Sequence, residues 1–139
     1  MNTQTLLSIV ADQREELLAN DYSELCPRPE ESQLDLKSNR AQVVIGVRRC
    51  GKSTLCEMFL KQKGIDFAYV NFDDDRMEDM KASDLDHLLE ALYMTYGEFK
   101  YLFLDEIQNI EGWPLFVNRL LRQKMHLFIT GSNLSLIHI

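Results

Sequence analysis

The chain has 139 residues, of which 45% are hydrophobic and 27% are charged. This composition is typical of a folded globular domain with a hydrophobic core of its own. The 15 basic and 22 acidic side chains give a net charge of −7, which argues against nonspecific nucleic-acid binding, because such binding depends on neutralising phosphates.

The sequence shows no targeting pattern. Its first residues lack the basic start and apolar run of a signal peptide, and no window approaches the length of a membrane span. The sequence has three cysteines, Cys26, Cys50 and Cys56, which are irregularly spaced and form no C-x-x-C pair. We therefore expect free thiols in a reducing compartment. These patterns predict a cytoplasmic protein without a membrane partner.

The first predicted element is an amphipathic helix from about Thr3 to Ala19. Its inward stripe repeats at helical spacing and consists of Leu6, Ile9, Val10, Gln13 and Leu17. Pro27 and Pro29 then interrupt regular structure. We assign residues 1–40 to this helix and a connector, and residues 41–133 to the core that follows.

Beyond the connector, short apolar strands alternate with amphipathic helices. The predicted strands are AQVVI, DFAYVNF, KYLFLDE and MHLFITGSN, and the predicted helices are STLCEMFLKQKG, SDLDHLLEALYMTYG and GWPLFVNRLLRQK. Ser83 and Asp86 predict a loose capping box at the start of the second of these helices. The alternation indicates an α/β fold, in which a parallel sheet carries helices on both faces.

The stretch VVIGVRRCGKSTL contains the pattern G-x-x-x-x-G-K-[ST] between a predicted strand and a predicted helix. Such a turn directs backbone N–H groups and the positive helix end toward phosphate. Lys52 is predicted to reach the β- and γ-phosphates, and the Ser53 hydroxyl to coordinate magnesium. The predicted nucleotide-binding residues are Gly46, Val47, Arg48, Arg49, Cys50, Gly51, Lys52, Ser53 and Thr54.

Two arginines in this loop have several interpretations. Arg48 and Arg49 would assist phosphate binding, contact a neighbouring subunit or remain solvated. The sequence leaves these alternatives open.

The stretch YLFLDEIQ brings two carboxylates to the end of an apolar strand, where parallel sheets bind their ligands. Asp105 is predicted to hold magnesium through water, and Glu106 to orient or deprotonate the attacking water. The alternative is a solvated Asp-Glu turn. In FITGSN, Asn133 is our candidate, among Thr130, Ser132 and Asn133, for contacting the γ-phosphate or that water; an ordinary strand-ending turn is the alternative.

The stretches VVIGVRRCGKSTL, AYVNFDDDR, YLFLDEIQNIEGW and FITGSN resemble, in this order, those of a family of bacterial and archaeal AAA-type ATPases. The resemblance runs from about Ala41 to Asn133. It implies a P-loop core of the ASCE type, three layers α/β/α, with strand order 5-1-4-3-2. It also implies Lys52 and Ser53 as Walker A residues, Asp105 and Glu106 as Walker B residues, and a sensor-1 position near Asn133.

Family members continue with a fifth strand, a helical lid and a C-terminal domain of poorly defined role. We therefore expect an N-terminal fragment, truncated before strand 5, whose arginine finger, sensor-2 residue and surfaces for a homo-oligomer or protein partner lie beyond it. The final LSLIHI could be encoded by CTG TCT CTT ATA CAC ATC, a transposase end used in sequencing adapters. Residues 134–139 are accordingly expected to be a non-native tail.

The leading functional hypothesis is an ATP-binding domain that hydrolyses ATP to ADP and phosphate with magnesium in the full-length protein. No guanine-reading N-K-x-D string occurs, which favours ATP over GTP. The alternative is a nucleotide-gated switch or interaction module with little or no hydrolysis. Glu106 favours the enzyme, because a pure binder needs no such residue. A small-acceptor kinase accords less well with the Asp-Glu pair.

Overall fold

The computed structural model describes residues 2–19, 42–45, 60–61 and 63–131, with residues 42–45 described as backbone only. In chain order, the helices and strands are α1 (Thr3–Ala19), β1 (Gln42–Ile45), β2 (Ala68–Asn71), α2 (Leu85–Tyr96), β3 (Tyr101–Asp105), α3 (Trp113–Arg122) and β4 (His126–Gly131). Short 3-10 turns occupy Asp75–Met77, Ala82–Asp84 and Ile107–Asn109. None of the helices in these described ranges is long and apolar enough to cross a membrane.

The four strands form one sheet in the order β1-β4-β3-β2, and all three pairings are parallel. This confirms the predicted parallel sheet and the order that the family resemblance implied for these four strands. Because the strands are parallel, their carboxyl ends share one edge of the sheet. At that edge Asp105 lies between Asn71 and Thr130, and Ile45 lies beside Gly131.

Successive side chains of each strand face opposite sides of the sheet and join two hydrophobic clusters. The larger cluster joins α1, α2 and α3 to residues such as Leu102 and Leu104 of β3. The smaller cluster lies on the other face and consists of Leu17, Leu60, Tyr69, Phe103 and Phe128. Leu60 is α-helical, so helical residues cover both faces, as the sequence predicts.

Most of the predicted helices and strands that fall within the described residues are confirmed, whereas the predicted helix STLCEMFLKQKG lies mostly outside them. The bounds of α1 and its buried stripe match the prediction. The capping box predicted from Ser83 and Asp86 is wrong, because Ala82–Asp84 forms a 3-10 turn and α2 begins only at Leu85. The backbone N–H of Lys81 donates instead to the Asp84 carboxylate, at 2.9 Å.

Gln13 of α1 is only 1% exposed and closes the outer side of β2. Its Nε2 donates to the Asn71 carbonyl at 3.0 Å, and its Oε1 accepts from the Asn71 N–H at 3.0 Å. Nε2 also contacts Asp74 Oδ2 at 3.1 Å. A side-chain amide therefore supplies the donor and acceptor that another strand would supply at the edge of this sheet.

A second polar contact joins α1 to the turn after β2. Arg76 donates to both carboxylate oxygens of Asp74, and its Nη1 donates to Asp12 Oδ2 at 2.7 Å. The hydrogen bonds from Arg76 hold the pKa of Asp74 well below its usual range. Asp74 also caps the Asp75–Met77 turn by accepting from the Arg76 N–H, so this acidic stretch has a capping role.

Replacing Gln13 with methionine should destabilise the protein by about 1–3 kcal/mol, because two backbone groups of Asn71 lose their partner. Methionine keeps the length of the side chain and its apolar stem. The free energy of urea unfolding is the measurement, and Gln4→Met, on the exposed side of the same helix, is the matched control. Equal stability of the two variants would contradict this role of Gln13.

The stability that Asp74 contributes should depend on pH. Because its folded pKa is depressed, the contribution is complete above the unfolded pKa of about 4 and is lost as the pH falls through the folded pKa. Wild type should therefore exceed Asp74→Asn in stability near neutral pH, and the difference should shrink below about pH 4. Urea unfolding across this range measures it, with Asp79→Asn in the same loop as control. A difference that does not change with pH would refute the linkage.

Candidate functional site

Two adjacent carboxylates lie at the carboxyl edge of the sheet. Asp105 is the last residue of β3, Glu106 follows it, and the two residues are 5% and 4% exposed. β3 is an inner strand between β2 and β4. The alternative of a solvated Asp-Glu turn is therefore wrong, since both side chains are buried.

The backbone of the pair is held from both neighbouring strands. The Phe72 N–H donates to the Asp105 carbonyl at 2.8 Å, and the Glu106 N–H donates to the Thr130 carbonyl at 2.9 Å. Glu106 adopts φ 59° and ψ 42°, a left-handed conformation uncommon outside glycine. Such strained residues concentrate at functional sites, so the backbone itself marks Glu106 as a candidate.

The Asp105 carboxylate accepts hydrogen bonds from two flanking hydroxyls. Thr130 Oγ1 on β4 donates to Oδ1, and the Tyr69 hydroxyl on β2 donates to Oδ2 at 3.1 Å. Tyr69, Asp105 and Thr130 thus form a polar row across three strands. The row fixes the direction of the carboxylate.

The Glu106 carboxylate is contacted by an amide from the next turn. Gln108 Nε2 donates to Glu106 Oε2, and Gln108 belongs to the 3-10 turn Ile107–Asn109. This contact places an amide donor against the side chain that the sequence assigned to the attacking water.

The predicted phosphate-binding loop and Asn133 lie outside the described residues, so those assignments stay predictions. The structure does describe where the loop begins: β1 ends at Ile45, the residue before Gly46. β1 pairs with β4, which pairs with β3. The loop therefore starts at the same edge of the sheet as Asp105 and Glu106, with one strand between them.

Two side chains of the site were missed by sequence reasoning. Tyr69 had a usable signal, since it lies within the predicted strand DFAYVNF and a buried tyrosine hydroxyl needs a hydrogen-bond partner. Gln108 had no usable signal, because no periodic sequence pattern marks a single glutamine that follows a strand. Thr130 was a candidate beside Asn133, and the structure shows that it contacts Asp105.

The donor chemistry of this edge suits a hard divalent cation. Asp105 offers carboxylate oxygens, which magnesium prefers, and proteins usually bind this ion through one or two carboxylates plus water and phosphate. Among the described residues no group of three or more His, Cys, Asp or Glu side chains forms a metal site. The other predicted ligand, Ser53, belongs to the loop outside the described residues.

Its similarity to known proteins identifies the family of the chain. A family described as an AAA domain matches residues 38–138. The chain belongs to this AAA domain family. The matched region contains β1 to β4, α2, α3 and the acidic pair, whereas α1 precedes it.

The AAA domain is similar to two curated relatives, both named as uncharacterized proteins. One, from Methanocaldococcus jannaschii, is 37% identical over 106 residues, which cover 76% of this chain and 24% of the relative. The other, from Haemophilus influenzae, is 36% identical over 104 residues, covering 69% of this chain and 26% of the relative. The chain thus spans about a quarter of the length of the curated relatives it matches.

A solved structure is also similar, titled Structure of C. elegans PCH-2. The TM-score is 0.45 at 15% sequence identity, and the match covers 96% of this chain and 37% of that chain.

Removing the Thr130 hydroxyl should weaken the AAA domain, because Asp105 Oδ1 loses a buried donor. Thr130→Val keeps the shape of the side chain and should lower the free energy of unfolding by about 1–3 kcal/mol. Thr95→Val is the control, since Thr95 Oγ1 is buried and has no hydrogen-bond partner among the described residues; it should be neutral or stabilising. Thermal and urea unfolding measure both, and an equal loss in the two variants would contradict the prediction.

Proposed function

We propose that this AAA domain binds ATP and, in the full-length protein, hydrolyses it to ADP and phosphate in a magnesium-dependent reaction. The observation that carries the proposal is the buried acidic pair at the carboxyl end of an inner parallel strand. Membership of the AAA domain family over residues 38–138 supports it, as does the G-x-x-x-x-G-K-[ST] pattern after β1.

The phosphates of ATP would bind in the loop that follows β1. Backbone N–H groups of Gly46–Thr54 would surround them, and the Lys52 ammonium would neutralise charge on the β- and γ-phosphates. This arrangement requires the loop to begin at the carboxyl edge of the sheet. The end of β1 at Ile45 meets that requirement.

Asp105 and Ser53 are the residues that would hold magnesium. Bound there, magnesium would supply positive charge that offsets the negative charge developing on the phosphate oxygens during phosphoryl transfer. The hydroxyls of Tyr69 and Thr130 keep the Asp105 carboxylate directed by bonding one oxygen each. Residues that hydrogen-bond a metal ligand orient it, and their loss typically lowers metal affinity or activity.

Glu106 would orient the attacking water and accept its proton. Its carboxylate is buried, adjoins Asp105 and is held by Gln108. A positioned general base typically contributes about 10²- to 10⁴-fold to a rate. A solvated glutamate would lack the fixed direction, so burial and hydrogen bonding here favour catalysis over binding alone. Asn133 is the proposed contact to the γ-phosphate or to the same water.

The test is phosphate release and nucleotide binding by the full-length protein and two variants. Lys52→Ala should lose both ATP binding and turnover. Glu106→Gln should keep nucleotide affinity within about twofold and lower kcat by about 10²- to 10⁴-fold, since it removes only the base.

Charge-matched controls come from exposed positions. Lys63→Ala and Glu111→Gln change the same charges at the surface and should leave turnover unchanged. Equal turnover in wild type, Lys52→Ala and Glu106→Gln would refute the assignment. Tight ATP binding with no turnover by wild type would instead support the nucleotide-gated switch.

A further inference from the structure

Gln108 contacts the proposed general base directly. Its Nε2 donates to Glu106 Oε2, and Glu106 is a buried residue. The role assigned to Glu106 uses its carboxylate but leaves this amide without a function.

The turn that carries Gln108 is fixed at both of its neighbours. Ile107 is fully buried in the larger hydrophobic cluster, and Asn109 Nδ2 donates to the Phe72 carbonyl at 3.2 Å. The backbone N–H of Asn109 also donates to the Glu106 carbonyl at 3.3 Å. Gln108 and Glu106 are therefore attached to one rigid segment, and the amide contact joins their side chains as well.

The oxygen atom of the Gln108 side-chain amide disfavours stability. Its Oε1 is buried, and it has no hydrogen-bond donor among the described residues. A buried acceptor without a donor costs about 1–3 kcal/mol, which an apolar side chain of the same length would avoid. Local features that disfavour stability are expected at functional sites, so packing alone does not account for a glutamine here.

We propose that Gln108 is a positioning residue for Glu106 in ATP hydrolysis, acting through the hydrogen bond from its amide to the Glu106 carboxylate. The inference rests on the proposed function. An amide donor suits this task because it holds a carboxylate without a charge of its own and without a proton to transfer. A glutamate has several rotatable bonds, and a misplacement of about 1 Å in a reacting group can cost about 10²-fold in rate.

The test compares Gln108→Met and Gln108→Glu with wild type in the full-length protein. Gln108→Met keeps the side-chain length and should lower kcat about 10- to 100-fold. Gln108→Glu replaces the donor with a second carboxylate facing Glu106 and should lower kcat at least as much. In both variants the Kd for ADP, measured by calorimetry, should stay within about twofold of wild type. The reason is that the Gln108 amide contacts Glu106, whereas phosphate binding is assigned to the loop that follows β1.

Asn109→Leu on the same turn is the stability comparison, because it removes an amide that bonds Phe72 and not Glu106. The activity control is Gln123→Met, which makes the same replacement at an exposed position and should keep kcat within about twofold of wild type. Gln108→Met should melt no lower than Asn109→Leu, since it also removes the buried unsatisfied oxygen. A general weakening of the turn would give the opposite order of melting temperatures.

In a Glu106→Gln background, Gln108→Met should cause little further loss of single-turnover rate, because residues acting as one unit are not additive. An additive further loss would overturn the inference, as would a kcat of Gln108→Met within twofold of wild type. A wild-type protein that hydrolyses no ATP would overturn the proposed function and this inference together, whereas active wild type with unaffected Gln108 variants would overturn the inference alone.

Discussion

Thr130 makes the contacts on which the candidate site depends. Its carbonyl accepts the Glu106 N–H, and its hydroxyl donates to Asp105, so one residue of β4 fixes both the main chain of one carboxylate and the side chain of the other. Because β4 also pairs with β1, the same strand links the acidic pair to the start of the predicted phosphate-binding loop. The parallel register places Asp105, Glu106 and the start of that loop at one edge of the sheet.

Burial gives this edge its chemical character. Carboxylates buried at the end of an apolar strand would be costly without partners, and here two hydroxyl donors from β2 and β4 and one amide donor from the turn after β3 supply them. The same contacts limit the motion of the carboxylates. Stability and positioning thus come from one set of hydrogen bonds, while the left-handed Glu106 and the unsatisfied Gln108 oxygen oppose stability at the same place.

Helix α1 extends the domain beyond the family match, which begins at residue 38. It packs on α2 and β2, and Gln13 bonds the backbone of Asn71, the residue paired with Asp105 in the register. The side chain of Gln13 therefore bonds the outer side of β2, and β2 is the neighbour of the strand that leads to the acidic pair. Arg76 adds a second link, from the turn after β2 back to Asp12.

The sequence by itself determined the elements and their faces. The 3.6-residue period gave α1 with Gln13 in its buried stripe, and the alternation in β2 placed Tyr69 opposite Ala68 and Val70. It also predicted Asp105 and Glu106 at a strand end, because a continuous apolar run followed by two acids is a local pattern. The failure at Ser83 and Asp86 was local too, since a 3-10 turn competed with the helix start.

Only the tertiary structure decided that Tyr69 and Thr130 share Asp105, that Gln13 bonds Asn71, and that Gln108 holds Glu106. The first three contacts join residues far apart in the chain and depend on strand order and register, and the fourth depends on the left-handed turn at Glu106; periodicity encodes none of these.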